Sequence, residues 1–251
     1  MIFWCFVLGM CFGSFVFALY ERFIARKSLF LAHSFCFHCG KRLKFYHLVP
    51  LFSYLFLRAK CAFCGCKISP LSVFCELLAG ILFVFAFKFS ANVFEFAFLS
   101  LYLMTLLLLC LIDIKLKAVP EMLLWLNFIF ALCFAFDKNE FYALLLGEFS
   151  GGFALYALVF AGGIFLLKSL ISCLINIKKQ SQKLESMGEA DILLIASMGG
   201  ILGFKFGFYT IFLAALLALF CFFFTKKNFE MPFIPFLSLA FVGVFGARGY
   251  L

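Results

Sequence analysis

The sequence predicts an all-α polytopic membrane protein with about eight transmembrane helices and a small cytoplasmic zinc-ribbon-like domain between the first two. Of the 251 residues, 67% are hydrophobic and 43 are Phe, which is more apolar surface than a soluble domain needs to fill its core. Several apolar runs approach or exceed the roughly 20 residues that span a bilayer. The one sizeable polar segment holds two Cys-x-x-Cys pairs, which indicates a metal-binding fold.

Short basic or turn-forming connections separate the apolar runs. No basic residue precedes the first run and no small-residue cleavage motif follows it, so we expect a retained helix rather than a removed signal peptide. The predicted spans are 2–20, 71–87, 93–112, 121–136, 141–167, 191–204, 208–224 and 232–245.

The formal net charge of +9 is explained by orientation in a membrane. Seventeen of the 21 Lys and Arg residues fall on alternate connections, which the positive-inside rule assigns to the cytoplasm. We therefore expect the N-terminus outside, the large basic loop in the cytoplasm, contacts with lipid headgroups and no nucleic-acid partner. The seventeen lie in 22–67, at Lys115 and Lys117, in 168–183, and at Lys226 and Lys227.

Residues 21–70 are predicted to form a cytoplasmic Cys-rich metal-binding domain between a first transmembrane helix over 1–20 and the remaining helices over 71–251. The two pairs are Cys36 with Cys39 and Cys61 with Cys64, and 21 residues lie between them. Four thiolates at this spacing can close a tetrahedron around Zn²⁺, which would help so small a domain to fold. Substitution of one ligand by Cys66 or His38 is an alternative, and so are four reduced cysteines without a metal.

Two aspartates lie at the same predicted membrane face: Asp113 closes the third span and Asp191 opens the sixth. A carboxylate inside a membrane helix costs about 2.5–3.5 kcal/mol on insertion scales, so a functional role is the first expectation. Two carboxyls at one low-dielectric face share a proton and provide a base to activate water and an acid to polarise a peptide carbonyl. This predicts a transmembrane aspartic peptidase domain over 71–251.

Other roles for the acidic residues stay open. Asp191 can instead be a helix cap or complement the helix dipole, and Glu121 after Pro120 fits a first-turn helix acid. Glu76 directly follows the metal-binding segment. Paired glycines are predicted to let helices pack closely; they are Gly151-Gly152, Gly162-Gly163 and Gly199-Gly200 with Gly203.

Several segments, in order along nearly the whole chain, carry a family resemblance. They are Gly13-Ser14-Phe15, then 36–40, 50–64, 68–70 and 76–78, then Ile112-Asp113 with Pro120, and Met187-Gly188-Glu189-Ala190-Asp191. Together they resemble the bacterial prepilin peptidases, the type IV leader peptidases, and the last is similar to their GxGD segment. Ala190 replaces the second Gly of that segment, and Leu193 replaces a Lys that often follows it.

The resemblance implies an endopeptidase of the bacterial inner membrane with Asp113 and Asp191 as its catalytic pair. Its implied substrates are type IV prepilins or pseudopilins, whose leaders it removes at the cytoplasmic face. It also implies methylation of the new N-terminus from S-adenosylmethionine, although no cofactor-binding residue is identified. The family's pattern differs here at Phe17, Glu21, Phe45 and Leu48, in the region linked to methylation.

Two further hypotheses stand beside the peptidase. The Cys-x-x-Cys pairs are also compatible with a membrane thiol-disulfide oxidoreductase. A zinc-ribbon membrane scaffold without catalytic activity is the other alternative.

Overall fold

The computed structural model describes residues 1–27, 36, 39–42, 60–135, 152–178, 188–224 and 231–248. Apart from isolated bridge positions, the regular structure in these ranges is helical, which confirms the predicted all-α class. The helices are α1 Ile2–Ile24, α2 Pro70–Lys88, α3 Val93–Leu116, α4 Glu121–Phe134, α5 Phe153–Lys178, α6 Glu189–Phe224 and α7 Ile234–Arg248.

Five helices, α1, α2, α3, α5 and α6, are long and apolar enough to cross a membrane, and α4 and α7 are shorter apolar helices. The protein is therefore a multi-pass membrane protein, as predicted. The fifth helix differs from its prediction because it continues to Lys178 instead of ending at Leu167. The predicted start of that span, at Phe141, lies outside the described residues.

The predicted sixth and seventh spans form one helical segment, α6, that is interrupted at Gly203 with φ 77° and ψ 179°. In a straight helix residues 199 and 207 would be about 12 Å apart. A Cβ built on Gly207 would instead lie 3.3 Å from the Cα of Gly199. The chain therefore turns back at Gly203, and α6 consists of two arms, 189–202 and 204–224.

The described residues divide into two compact units, Met1–Leu111 and Ile112–Leu251. In the first unit, α1 packs against α2 through glycine: a Cβ on Gly13 would lie 2.8 Å from the carbonyl oxygen of Cys75 and 2.8 Å from the Cα of Glu76. Only glycine permits this approach of two helix backbones. Glu76 is buried in this unit.

In the second unit, α5 packs on both arms of α6 through aromatic rings. Phe160 lies against Gly199 and Gly207, and Phe153 lies against Gly200. The predicted packing role of Gly199 and Gly200 is confirmed, because a side chain at either position would overlap a ring.

Candidate active site and metal centre

Asp113 lies in the last turns of α3 and is buried, with 7% of its surface exposed. Its Oδ2 accepts a hydrogen bond of 3.2 Å from the backbone N–H of Ile234. The helix ends just beyond it, where Lys117 adopts φ 53° and donates its N–H to the Asp113 carbonyl oxygen at 2.9 Å. Both the side chain and the backbone of Asp113 are thus fixed.

The donor Ile234 is the first residue of α7. The first N–H groups of a helix have no partner inside the helix, so this one is available to a carboxylate. Proline fixes the start of α7, since Pro235 has no N–H to lose and its φ suits the first turn. The signal for this contact in the sequence is the pair Pro232 and Pro235, which marks a helix start; the partner of the donor is not encoded locally.

Asp191 lies in the first turn of α6. Its carboxylate accepts a hydrogen bond from the backbone N–H of Gly188, just before the helix, which is the arrangement of the acidic half of a capping box. A Cβ on Gly188 would lie 3.5 Å from Asp191 Oδ2. The alternative role of Asp191 as an acid of the helix start is therefore present in the structure.

The same carboxylate also interacts electrostatically with Asp113 of α3 and with Lys168 of α5. The second unit therefore places the two predicted aspartates in one site, although 77 residues separate them in the chain. Each carboxyl is oriented by one backbone N–H. Glu121, predicted as a first-turn acid, begins α4 and is exposed. Lys168 was not expected at this site, and no local sequence pattern indicates it.

The four cysteines of the Cys-x-x-Cys pairs come together in the first unit. The Sγ atoms of Cys36, Cys39, Cys61 and Cys64 all lie within 4.8 Å of one another. Zn–S bonds of about 2.3 Å place tetrahedral ligand atoms about 3.8 Å apart, and the Cys36 and Cys64 Sγ atoms are 3.9 Å apart. The cluster fits a tetrahedral metal ion.

The two pairs lie on equivalent turns. The Gly40 N–H donates to the Cys36 carbonyl oxygen at 2.8 Å, and the Gly65 N–H donates to that of Cys61 at 3.0 Å. Both glycines adopt left-handed φ, 69° and 68°, a conformation that costs glycine nothing. A glycine directly after the second Cys therefore lets each turn present both of its sulfurs to the same point.

A fifth sulfur adjoins the cluster. Cys66 Sγ lies 3.8 Å from Cys36 Sγ, so this predicted alternative ligand is within reach, whereas His38 lies outside the described residues. A backbone hydrogen bond at Lys41 lowers the pKa of Cys39, but desolvation and the neighbouring Cys36 and Cys64 sulfurs raise it overall to about 11. The Cys39 thiol is therefore protonated at neutral pH, and binding of a metal ion as thiolate would require loss of that proton.

Two family models match this chain. Residues 7–89 match the family model of the bacterial peptidase A24 N-terminal domain, and residues 100–223 match that of the type IV leader peptidase family. No solved structure matches the chain.

Relatives that carry the name prepilin leader peptidase/N-methyltransferase include the following three. The protein of Vibrio cholerae is 28% identical over 84% of this chain and 80% of its own length. The protein of Dichelobacter nodosus is 29% identical over 86% of this chain and 71% of its own length. The Myxococcus xanthus protein is 44% identical, but over only 31% of this chain and 23% of its own length.

The helical membrane fold and the two family models together define a membrane-bound peptidase. The chain belongs to the type IV leader peptidase family.

Proposed function

We propose that this protein is a membrane aspartic endopeptidase that removes the leader peptides of type IV prepilins or pseudopilins. The observation that carries the proposal is the shared site of Asp113 and Asp191, each held by a backbone N–H. Membership in the leader peptidase family supports the same reaction class. The three relatives named prepilin leader peptidase/N-methyltransferase support the substrate class.

The reaction needs one ionised and one protonated carboxyl. The ionised carboxylate takes a proton from water, whose oxygen attacks the scissile carbonyl carbon, while the protonated carboxyl donates its proton to the carbonyl oxygen. As the C–N bond of the tetrahedral intermediate breaks, the amine leaves with a proton from the first carboxyl. In the same collapse one hydroxyl of the gem-diol returns its proton to the second carboxylate, which leaves a carboxyl product and restores the starting state of the pair.

We place the catalytic pair at the cytoplasmic face of a bacterial inner membrane. The basic connections support an external N-terminus and a cytoplasmic segment over 21–70. The basic leader of a prepilin would lie on the same side of the membrane, which brings its cleavage site to the pair. Lipid headgroups are the expected contacts of the basic loops.

The four-cysteine cluster is proposed to hold one Zn²⁺ with a structural role. Cys36, Cys39, Cys61 and Cys64 supply four ligands, and four protein ligands leave no open position for substrate, as in structural zinc sites. The ion would hold the two turns of the 21–70 segment together.

N-methylation of the mature pilin from S-adenosylmethionine is the second proposed activity. It is supported by the names of the three relatives. The mass of the mature pilin N-terminus tests it directly: one added methyl group supports the transferase, and an unmodified amine would leave a peptidase alone.

Cleavage of a co-expressed prepilin tests the principal proposal. Asp113→Asn and Asp191→Asn should each lower the cleavage rate by at least about 10³-fold, because each removes one member of an acid–base pair. Glu121→Gln, which changes the charge equally at an exposed acid of the second unit, should cleave at the wild-type rate. Retention of cleavage by either aspartate variant would overturn the assignment.

A further inference from the structure

We infer that Lys168 is a positioning residue of the acid pair: its ammonium group stabilises the singly ionised state of Asp113 and Asp191. This inference rests on the proposed function, because Lys168 acts through Asp191. It assigns a role to a residue on α5, a helix that contributes no member of the pair.

The register of α5 against the first arm of α6 places Lys168 beside Asp191. Tyr156 lies 3.8 Å from a Cβ built on Gly203, and Phe160 lies against Gly199. From Tyr156 to Phe160 the residue number on α5 rises by four, while from Gly203 to Gly199 the number of the facing residue on α6 falls by four. The two helices therefore run antiparallel. Eight residues beyond Phe160 is Lys168, and eight residues before Gly199 is Asp191, each about 12 Å further along its helix.

The position of Lys168 in an apolar helix is unfavourable in free energy for a charged side chain. Two nearby side chains of α5, Leu167 and Leu170, are apolar and 53% and 58% exposed, as expected of a lipid-facing helix. A lysine inside such a helix is unfavourable unless a partner or the membrane surface receives its charge. Lys168 is itself only half-buried, and it interacts electrostatically with Asp191.

Among the described residues, the charged groups that interact electrostatically with Asp191 are Asp113 and Lys168. Asp113 belongs to α3, and Lys115 and Lys117 at the end of that helix are exposed. The nearest basic residue on α6 is Lys205, beyond the turn at Gly203. The remaining charged groups are exposed Glu121 on α4, exposed Glu189 on α6, and Arg248 on α7, which binds carbonyl oxygens near that turn.

A single ammonium group beside two carboxyls favours the state in which one of them is ionised. That state contains both the base and the acid that peptide hydrolysis needs. Without Lys168, the ionised carboxyl of the pair would take up its proton at a higher pH than in the wild type. Below that pH the pair would lack the base that activates water. The loss of activity on the acidic side should therefore move to higher pH.

The test is the pH profile of leader cleavage by the full-length protein in detergent. Lys168→Met should move the acidic midpoint up by about 0.5 to 1 in pH, a modest effect because Lys168 is only half-buried and its charge is partly screened by solvent. The rate below that midpoint should fall about 3- to 10-fold, with little change above it. Lys168→Arg should keep the wild-type profile, and so should Lys205→Met, which removes the same charge far from the pair.

An unchanged acidic midpoint in Lys168→Met would overturn the inference. Equal losses at every pH in both Lys168→Met and Lys168→Arg would overturn it as well, because they indicate a packing role. These results are distinguishable from failure of the proposed function, in which Asp113→Asn or Asp191→Asn still cleaves the leader.

Discussion

The backbone N–H of Ile234 donates a hydrogen bond to Asp113 Oδ2 at 3.2 Å, which joins residues 121 positions apart in the chain. A carboxylate that accepts an N–H is oriented, and its ionised form is favoured. The start of α7 therefore supports one member of the proposed catalytic pair, although its own side chains are mostly apolar.

Replacement of Ile234 by Pro is expected to lower kcat for leader cleavage about 10- to 100-fold, which corresponds to a lost charge-assisted hydrogen bond of about 1.5–3 kcal/mol. Proline removes the N–H yet suits the first position of a helix, so α7 should still form. Ile234→Val keeps the donor and should keep kcat. Equal kcat in the two variants, measured on protein with an unchanged helical circular dichroism spectrum, would contradict the role of this hydrogen bond.

The turn inside α6 leads to a second prediction. Gly203 has φ 77° and ψ 179°, a conformation that is essentially confined to glycine and costs other residues of order 1–3 kcal/mol. Gly203→Ala should therefore lower the unfolding temperature in detergent and reduce cleavage. Gly243→Ala is the matched control, because a Cβ there meets no described atom within 4 Å and alanine favours a helix. A wild-type unfolding temperature for Gly203→Ala would show that the turn tolerates a side chain.

The carbonyl oxygens at the end of the first arm of α6 give a third prediction. Arg248 Nη1 donates to the carbonyl oxygen of Ile201 at 3.0 Å and to that of Leu202 at 3.5 Å. A helix that ends within a membrane leaves such carbonyls without intrahelical donors. Arg248→Met should lower the free energy of unfolding by about 1–3 kcal/mol, and Arg248→Lys should lose less because an ammonium can still donate.

Thermal unfolding in detergent measures both Arg248 variants, and leader cleavage at a temperature below the transition serves as the control for folding. Lys115→Met removes a charge at an exposed position near the end of α3 and should leave the transition unchanged. Stability equal to wild type in Arg248→Met would mean that the two carbonyl oxygens find other donors.

The sequence predicted what local patterns encode. Apolar runs and helix-start prolines gave the bounds of most helices, and the paired Cys-x-x-Cys spacing gave the four sulfurs of the cluster. The predicted fifth span ends too early, at Leu167, because a lysine normally marks the end of a membrane span, whereas α5 continues through Lys168. The cost of a lysine in a membrane helix can be offset by a partner, and the partner Asp191 lies on another helix.

The contacts of the acid pair could not be predicted for a related reason. The donor of Ile234 is a backbone group, which every residue except proline has, so its identity carries no signal. The reversal at Gly203 was predicted as two separate spans, but the register of α5 against α6 depends on Phe160 fitting over Gly199 and Gly207. Packing between distant segments cannot be predicted from the sequence of either segment alone.

The final prediction concerns the metal centre. Purified protein should contain about one zinc ion per chain, since four Sγ atoms lie within 4.8 Å of one another, and Cys64→Ser should lose most of it. Cys173→Ser, a change at an exposed cysteine of α5, should keep it. Alkylation of the four cysteines should be slow until a chelator is added; rapid alkylation without a chelator, or disulfides in place of metal, would favour the thiol-disulfide oxidoreductase.

The metal centre should also respond to pH in one direction. Without metal, a backbone hydrogen bond at Cys66 lowers the pKa of Cys64, but the Cys66 thiol, desolvation and Cys61 raise it overall to about 11. Zinc binds thiolates and must displace these protons, so its apparent affinity should fall at least about tenfold for each unit by which the pH is lowered. Competition with a chromophoric chelator between pH 6 and about pH 8 measures this slope. A flat profile would mean that the cysteines bind no metal as thiolates.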